Sequence, residues 1–247
     1  MPQRPCLMLT RPETESARFA EQAQAAGWRG SVMIAPLLEI VLLPLDVAAL
    51  TGARTLVFTS QHAVSALSLA TDARDWVVWA VGPRTAQAAR AAGFAVVHQS
   101  GGDASALLDD LTHSPPSAPV VHLRGRHAAS DIAAALRAQG QDASAVVCYE
   151  QVAQPLSAQA MARLRQGGDV VLPVFSPRSG RLLADAIAAI APLPTRLHLV
   201  AISTAAADAA TISPLASCHV AARPDARSMC DALATMQQTL EPLGKPR

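Results

Sequence analysis

The chain has 247 residues, of which 51% are hydrophobic and 16% charged, and its net charge is +1. This composition excludes a disordered chain, and the small net charge excludes a generic nucleic-acid binder, which needs a basic face. No apolar run reaches the roughly 18 residues of a membrane span and no signal-peptide pattern opens the sequence, so we expect a cytoplasmic protein that binds neither membrane nor nucleic acid.

The basic residues and the cysteines exclude the common cofactors. Nineteen of the 20 basic residues are arginine, and the one lysine is Lys245. A Walker phosphate loop, a Schiff-base lysine and a kinase-type lysine are therefore excluded, and no Gly-x-Gly-x-x-Gly follows a strand. The four cysteines form no Cys-x-x-Cys pair, and the seven histidines lack metal-ligand spacing. We expect neither a metal ion nor a cofactor.

In chain order, short apolar runs alternate with helical patterns, which predicts an α/β fold with parallel sheets flanked by helices. The first predicted helix opens at Pro12 and ends at Gly27, and a later one begins at Ser176 with Pro177 in its first turn. Pro173 falls inside a predicted strand, which favours an edge position or a bulge for that strand. The predicted strands are 6–9, 32–35, 38–43, 55–58, 77–81, 95–97, 120–123, 145–149, 170–175, 198–202 and 218–221.

The distribution of strands predicts two domains. The middle of the chain, 37–150, holds enough strands for a complete sheet, whereas only three follow it. The two strands before residue 36 complete a second sheet if they join those three. We therefore predict a discontinuous domain 1 (1–36 plus 151–247) and an inserted domain 2 (37–150), joined by two chain crossings that allow a hinge.

A repeated motif indicates where a ligand binds. Val57-Phe58-Thr59-Ser60 is echoed by Val174-Phe175-Ser176-Pro177, and each apolar strand runs into hydroxyl residues where a helix begins. A helix start offers free N–H groups and the positive end of the dipole to a carboxylate or phosphate. A second pair follows at 81–86 and 201–206. All four turns fall at the carboxyl ends of parallel strands, which predicts a cleft between the domains that binds an anionic ligand, with arginines in its lining.

These residues resemble the uroporphyrinogen-III synthase family of tetrapyrrole biosynthesis. The matching pieces occur in order along nearly the whole chain: Thr10-Arg11-Pro12, Phe58-Thr59-Ser60 with Ala63-Val64, Val81-Gly82-Pro83-Arg84-Thr85-Ala86, Leu123-Arg124-Gly125, Tyr149, and Phe175-Ser176-Pro177. Two departures stand out. His62 occupies the place of the family's usual asparagine, and the second Gly-x-x-Thr turn reads Ser203-Thr204-Ala205-Ala206, without the glycine and the aligned threonine.

The resemblance implies two flavodoxin-like domains joined by a two-segment hinge and a lyase that works without a cofactor. Its substrate is the linear hydroxymethylbilane, which it cyclises to uroporphyrinogen III with loss of water and inversion of the last pyrrole ring, a step towards heme and other porphyrins. Without the enzyme the same substrate closes to the uninverted isomer. Selecting between two closures calls for positioning and electrostatics, which suits a chain that offers no metal and one lysine.

The site residues follow from the motifs and the resemblance together. Tyr149, the only tyrosine, ends a predicted strand and is the candidate catalytic acid, with a packed hinge aromatic as the alternative. We expect His62, His122 and His127 to be structural or surface residues, with His62 the one to test for proton transfer. We expect domain 2 to supply more of the specific contacts. The hydroxyl residues are also candidates for simple helix caps, and the arginines for a solvated face. The candidate substrate-binding residues are Arg11, Thr59, Ser60, His62, Gly82, Pro83, Arg84, Thr85, Arg124, Gly125, Ser176, Pro177, Arg178, Ser203 and Thr204.

A second function stays open at this point. A non-catalytic two-domain protein that closes like a hinged clamp on a small polyanion would use the same turns. A phosphorelay receiver is disfavoured, because the strand ends carry threonine and serine instead of a phosphoacceptor aspartate. No long amphipathic seam calls for a partner chain, so we expect a monomer that binds a small molecule.

Overall fold

The computed structural model describes residues 4–127 and 130–240, which divide into two compact units. Unit 1 comprises Met1–Glu39 with Ala153–Arg247, and unit 2 comprises Ile40–Val152. The sequence prediction drew these boundaries after residues 36 and 150. Among the described residues, no helix is long and apolar enough to cross a membrane.

Unit 1 contains a five-stranded sheet in which every neighbouring pair is parallel. The spatial order is β11-β10-β9-β1-β2. Numbered within the unit, this is the flavodoxin-like order 2-1-3-4-5. The strands are β1 (Cys6–Leu9), β2 (Ser31–Ile34), β9 (Asp169–Val174), β10 (Arg196–Ala201) and β11 (Ser217–Val220).

Helices cover both faces of this sheet because its central strands are apolar on both sides. Phe19 of α1 and Met229 of α9 belong to the cluster on one face, and Leu164 of α6 and Leu183 of α7 to the cluster on the other. The helices of unit 1 are α1 (Glu13–Ala25), α6 (Ala158–Arg165), α7 (Pro177–Ala188), α8 (Thr204–Ala209) and α9 (Ala226–Leu240).

Unit 2 contains a six-stranded sheet in the order β3-β8-β7-β4-β5-β6. The four pairings from β8 to β6 are parallel, and β3 joins the edge of β8. Counted from β4, the five parallel strands have the other doubly wound order, 3-2-1-4-5. The first and last strands extend slightly past the bounds of the unit. The strands are β3 (Leu38–Leu42), β4 (Thr55–Phe58), β5 (Val77–Val81), β6 (Val97–Ser100), β7 (Val120–Gly125) and β8 (Ala143–Ala153).

The sheet of unit 2 is likewise covered on both faces. Residues of α2 and α3 pack on one face with Leu56 and Phe58, and residues of α4 and α5 pack on the other with Val57 and Val120. A short 3-10 turn, Val47–Leu50, precedes β4. The helices are α2 (Gln61–Ala70), α3 (Gly82–Ala91), α4 (Ala104–His113) and α5 (Ile132–Ala138).

The predicted class, an α/β fold with parallel sheets flanked by helices, is confirmed, and each predicted strand is present. The expectation for Pro173 is wrong, because β9 lies between β1 and β10 and has no bulge in its pairing with β10. Proline fits there because the ladder between β1 and β9 pairs only Cys6 with Val170 and Leu7 with Val171. The missing N–H of Pro173 thus falls beyond the ladder with β1, while Pro173 pairs with Val200 on the other side.

Candidate functional site

Each sheet has one position where its strand order reverses, and ligands of open α/β sheets bind beside it, at the carboxyl ends of the strands. In unit 1 this switch point lies between β1 and β9, and in unit 2 between β4 and β7. Arg11 follows β1 and Ser176 follows β9, whereas Thr59 follows β4 and Gly125 ends β7. The first repeated motif pair therefore falls at both switch points, whereas the turns at 81–86 and 201–206 follow the neighbouring strands β5 and β10.

Ser60 caps the helix that begins after β4. Its side chain accepts a hydrogen bond from the backbone N–H of His62 at 3.3 Å. The sequence made both hydroxyl residues of this turn candidates for the helix cap, but the capping residue is Ser60 and not Thr59. Instead, Thr59 Oγ1 lies 3.3 Å from Nε2 of His122 in the neighbouring strand β7. Thr59 thus has a polar partner of its own, separate from the start of the helix.

Tyr149 lies inside β8 and not at its end, which corrects the sequence prediction. The strand continues to Ala153, since the chain stays hydrogen-bonded past Tyr149 as far as the bond from Gln154 N to the carbonyl of Leu37. The ring is buried, with 9% of the residue exposed, and its centroid is 5.6 Å from that of His62. A Cβ placed on Gly125 would lie 2.6 Å from Cζ of Tyr149, so glycine makes room for the ring.

Burial raises the pKa of Tyr149, because desolvation disfavours the phenolate. Hydrogen bonds from the side chain of Ser60 and the backbone of Gly125 act in the opposite direction and lower this pKa, but they do not cancel the effect of burial. The phenol therefore keeps its proton at neutral pH. It is available as a proton donor, and its hydrogen-bonding groups come from Ser60 after β4 and Gly125 at the end of β7.

A pocket of about 300 Å³ opens at this edge of unit 2 and contains both Thr59 and Tyr149. Three further polar residues of its lining, Asp103, His127 and Ser130, were not predicted as site residues. Asp103 had a local signal, because it follows β6 and two glycines and caps α4 through a hydrogen bond from the backbone N–H of Ala106 at 2.9 Å. The full lining is Thr59, Val81, Asp103, Ala104, His127, Ser130 and Tyr149.

Strand β7 carries two polar side chains, His122, which contacts the pocket residue Thr59, and Arg124. His122 is 1% exposed, and burial, reinforced by the charge of Arg124, lowers its pKa to about 4. Its imidazole is therefore neutral at physiological pH. The Nε atom of Arg124 is buried and has no hydrogen-bond partner within residues 4–127 and 130–240. A buried guanidinium N–H without an acceptor is unusual, because most buried polar groups are hydrogen-bonded.

The second turn of unit 2 begins α3 directly after β5. Gly82 has a φ of +74°, a conformation that side-chain-bearing residues rarely adopt, and Pro83 follows in the first turn. Arg84 is exposed, whereas Thr85 is buried within the helix at 5% exposure. The residue in the cap position is Val81, so Thr85 is not a helix cap.

In unit 1, residues from both sides of the switch point are in contact. The guanidinium carbon of Arg11 lies 4.4 Å from the ring centroid of Phe175, within the range of a cation–π interaction. Ser176 forms a capping box with Ser179 at the start of α7, and Pro177 occupies the first turn as predicted. Arg178, the next residue, is half-buried.

The last predicted turn begins the six-residue helix α8. Ser203 caps it, accepting a hydrogen bond from the N–H of Ala206 at 3.3 Å, and Thr204 is the exposed first residue. Of the two predicted helix starts in unit 1, only the one at Ser176 has a complete capping box.

Each of the two α/β units has a serine-capped helix at the switch point of its sheet, and in unit 2 this helix start lies beside the buried phenol of Tyr149. These features define a two-unit α/β protein with candidate sites at the carboxyl ends of its strands. The sequence profile of the family described as uroporphyrinogen-III synthase HemD matches residues 17–231. The structure is similar to that of uroporphyrinogen-III synthetase from Helicobacter pylori, with a TM-score of 0.64, 16% identity, and coverage of 96% of this chain and 100% of that one.

It is also similar to a mutant uroporphyrinogen III synthase from Thermus thermophilus, with a TM-score of 0.51, 16% identity, and coverage of 96% and 98% of the two chains. No curated protein matches the chain. The chain belongs to the uroporphyrinogen-III synthase family. It is a lyase that cyclises hydroxymethylbilane to uroporphyrinogen III, and nothing favours the alternative of a non-catalytic binding protein.

Proposed function

We propose that Tyr149 is the proton donor in this cyclisation and that unit 2 holds the reacting end of the substrate at the carboxyl edge of β4 and β7. The observation that carries the proposal is the buried phenol of Tyr149, which keeps its proton at neutral pH and shares a pocket with Thr59. A general acid must hold its proton before the leaving group departs, and this phenol meets that condition.

The proposed reaction requires Tyr149 only to donate a proton and later to take one back. The bond between the hydroxymethyl carbon and its oxygen breaks, and the oxygen leaves as water with the proton of Tyr149. The carbon left behind carries positive charge that the pyrrole nitrogen stabilises through the ring. Closure and inversion of the last ring release a proton from a ring carbon, which the phenolate of Tyr149 takes back. The raised pKa of Tyr149 favours this return.

Selection of the inverted isomer then depends on how the rest of the substrate is held. Its acetate and propionate groups suit the guanidinium groups and helix starts of the site. Arg124 supplies a guanidinium group at the end of β7, and Ser60 and Ser176 stand at helix starts that present N–H groups to an anion. The proposed substrate-binding residues are those predicted from the sequence: Arg11, Thr59, Ser60, His62, Gly82, Pro83, Arg84, Thr85, Arg124, Gly125, Ser176, Pro177, Arg178, Ser203 and Thr204.

The experiment supplies freshly made hydroxymethylbilane and separates the product isomers after oxidation to porphyrins. Wild-type protein should give uroporphyrinogen III faster than the spontaneous formation of the uninverted isomer. Tyr149→Phe keeps the ring in its pocket and removes only the hydroxyl, so the fold should be unchanged. We expect kcat to fall by about 10²-fold or more, the usual contribution of a general acid. Wild-type turnover in this variant would remove the role of Tyr149.

We further propose that the two units are the two domains of the protein, and that it acts as a cytoplasmic monomer in the supply of heme and related porphyrins. The pattern of strands supports the division, since each unit completes its own sheet. Light scattering on the purified chain tests the monomer, and cell fractionation tests the compartment.

A further inference from the structure

His122 is a polar residue in an otherwise apolar part of the unit 2 sheet. It is 1% exposed and lies in β7, where it pairs with Val57 of β4 and Ala145 of β8. Alternation along the strand places its side chain on the same face as Val120, the face covered by α4 and α5. A histidine in this position calls for an explanation, because burying a polar ring is costly unless its nitrogens have partners.

One ring nitrogen has such a partner, and the partner is a pocket residue. Nε2 of His122 lies 3.3 Å from Oγ1 of Thr59, and Thr59 lines the pocket that also contains Tyr149. Nδ1 is buried and has no hydrogen-bond partner in the part of the chain that the structure describes. The contact also spans the switch point of the sheet, since Thr59 follows β4 and His122 belongs to β7.

The charge state and the tautomer follow from these surroundings. Burial and the nearby charge of Arg124 keep the imidazole neutral at physiological pH, outweighing the opposite effect of Asp131 at the start of α5. A neutral imidazole carries one N–H. An N–H on Nδ1 would have no acceptor within the described residues, whereas an N–H on Nε2 faces Oγ1 of Thr59, so the Nε2 tautomer is the one that satisfies the donor. In that tautomer His122 donates to Thr59, which leaves the hydroxyl hydrogen of Thr59 for another acceptor.

We propose that His122 is a positioning residue that acts through Thr59: by donating its Nε2–H to Oγ1, it fixes the Thr59 hydroxyl as a hydrogen-bond donor to the substrate. The proposal rests on the proposed function of this pocket. It names the kind of group that Thr59 meets, which is an acceptor such as a substrate carboxylate. A hydroxyl held in this way costs no reorganisation when the substrate binds.

The tautomer is tested first, without any measurement of activity. A long-range ¹H–¹⁵N spectrum of the full ¹⁵N-labelled chain at pH 7 reports the protonation of each imidazole, and His122→Gln identifies the His122 signals by their loss. We expect a neutral ring protonated on Nε2, with a changed Nε2 shift in Thr59→Val. A ring protonated on Nδ1, or a doubly protonated ring, would overturn the proposal, as would an Nε2 shift that Thr59→Val leaves unchanged.

Kinetics then test whether His122 works through Thr59. His122→Phe fills the site and removes the donor, and we expect kcat/KM to fall about tenfold, as for the loss of one hydrogen bond. His122→Gln retains an N–H donor and should recover part of that activity. In a Thr59→Val background, His122→Phe should cost little more, because the hydroxyl it fixes is gone. An equal loss in both backgrounds would show that His122 does not act through Thr59.

A matched control separates this effect from a general loss of structure. His98 is an exposed histidine of the same sheet, stacked on Trp79 at 4.6 Å between ring centroids. His98→Phe keeps the stack and should leave turnover unchanged. If the wild-type protein itself failed to make uroporphyrinogen III, the proposed function would fail, while the spectrum would still decide the tautomer of His122.

Discussion

Replacing Gly125 with alanine should misplace the phenol of Tyr149 without altering the chemistry of any polar group. The added Cβ would lie 2.6 Å from Cζ, 2.7 Å from Cε2 and 3.0 Å from the hydroxyl oxygen of Tyr149. An ordinary contact begins at 3.4 Å, so the ring must move by about 3.4 − 2.6 = 0.8 Å. Gly125 does not have a positive φ, so alanine itself fits the backbone there.

Two effects of different size follow from this displacement. Overpacking a buried position costs about 1–3 kcal/mol of folding stability. A reacting group misplaced by about 1 Å loses about 10²-fold in rate, so we expect kcat to fall roughly ten- to a hundredfold while the fold persists. Turnover of hydroxymethylbilane with separation of the isomers measures the second effect, and urea denaturation measures the first.

The control is Gly102→Ala, since Gly102 also lacks a positive φ and a Cβ there would meet no atom within 4 Å. It should leave turnover and stability unchanged. In a Tyr149→Phe background, Gly125→Ala should cost little further activity, because no hydroxyl remains to be misplaced. The reasoning fails if Gly125→Ala turns over substrate like the wild type, or if its loss is the same with and without the hydroxyl.

Two predictions concern stability in unit 1. Asp169 accepts hydrogen bonds from Arg196 at 2.6 and 2.7 Å and lies 2.9 Å from Nε2 of His198, so Asp169→Asn should lower the free energy of unfolding by about 1–3 kcal/mol. The hydrogen bond with Arg196, and after it that with His198, holds the pKa of Asp169 below its usual 3.8. The stabilisation that ionised Asp169 gives the folded state is therefore fully present above pH 3.8 and is lost as the pH falls through the lowered pKa. Urea unfolding of the wild type and of Asp169→Asn across acid pH measures the difference between their free energies of unfolding. A difference that grows as the pH falls would contradict the prediction. Ser176→Ala should cost about 1 kcal/mol through loss of the cap, measured by the same unfolding at pH 7, with Ser176→Asn retaining most of the stability; equal losses in the two variants would exclude capping as the cause.

Most of the fold could be predicted from local patterns in the sequence. The caps at Ser60 and Ser176 could be predicted because a hydroxyl residue, a preceding apolar strand and a following helical stripe all lie within a few residues of each other. Strand β6 was displaced, predicted at 95–97 and found at Val97–Ser100. It is an edge strand whose middle residues, His98 and Gln99, are exposed, so an apolar run does not mark its extent.

The site was less accessible to the sequence, because its contacts join distant positions. Tyr149 was singled out as the lone tyrosine, but its packing against Gly125 depends on the register of β7 with β8. His122 was expected to be structural or on the surface, and its contact with Thr59 joins residues 63 positions apart. A histidine within Val-Val-His-Leu-Arg was the available signal, since a polar residue inside a buried strand needs a partner. No local pattern identified that partner as Thr59.

The strand order of unit 1 sets the sequence of events during synthesis. Unit 2 is contiguous, so its whole chain has been made once the ribosome has added Val152. Strand β1 must wait longer, because its neighbour β9 pairs Cys6 with Val170, a separation of 170 − 6 = 164 residues. Domains generally fold as units while the chain emerges, and pairing across so long a separation is slow. The first strands of unit 1 therefore stay without their central partner until the phenol-bearing unit has been made, and the unit that carries Tyr149 is the first able to fold.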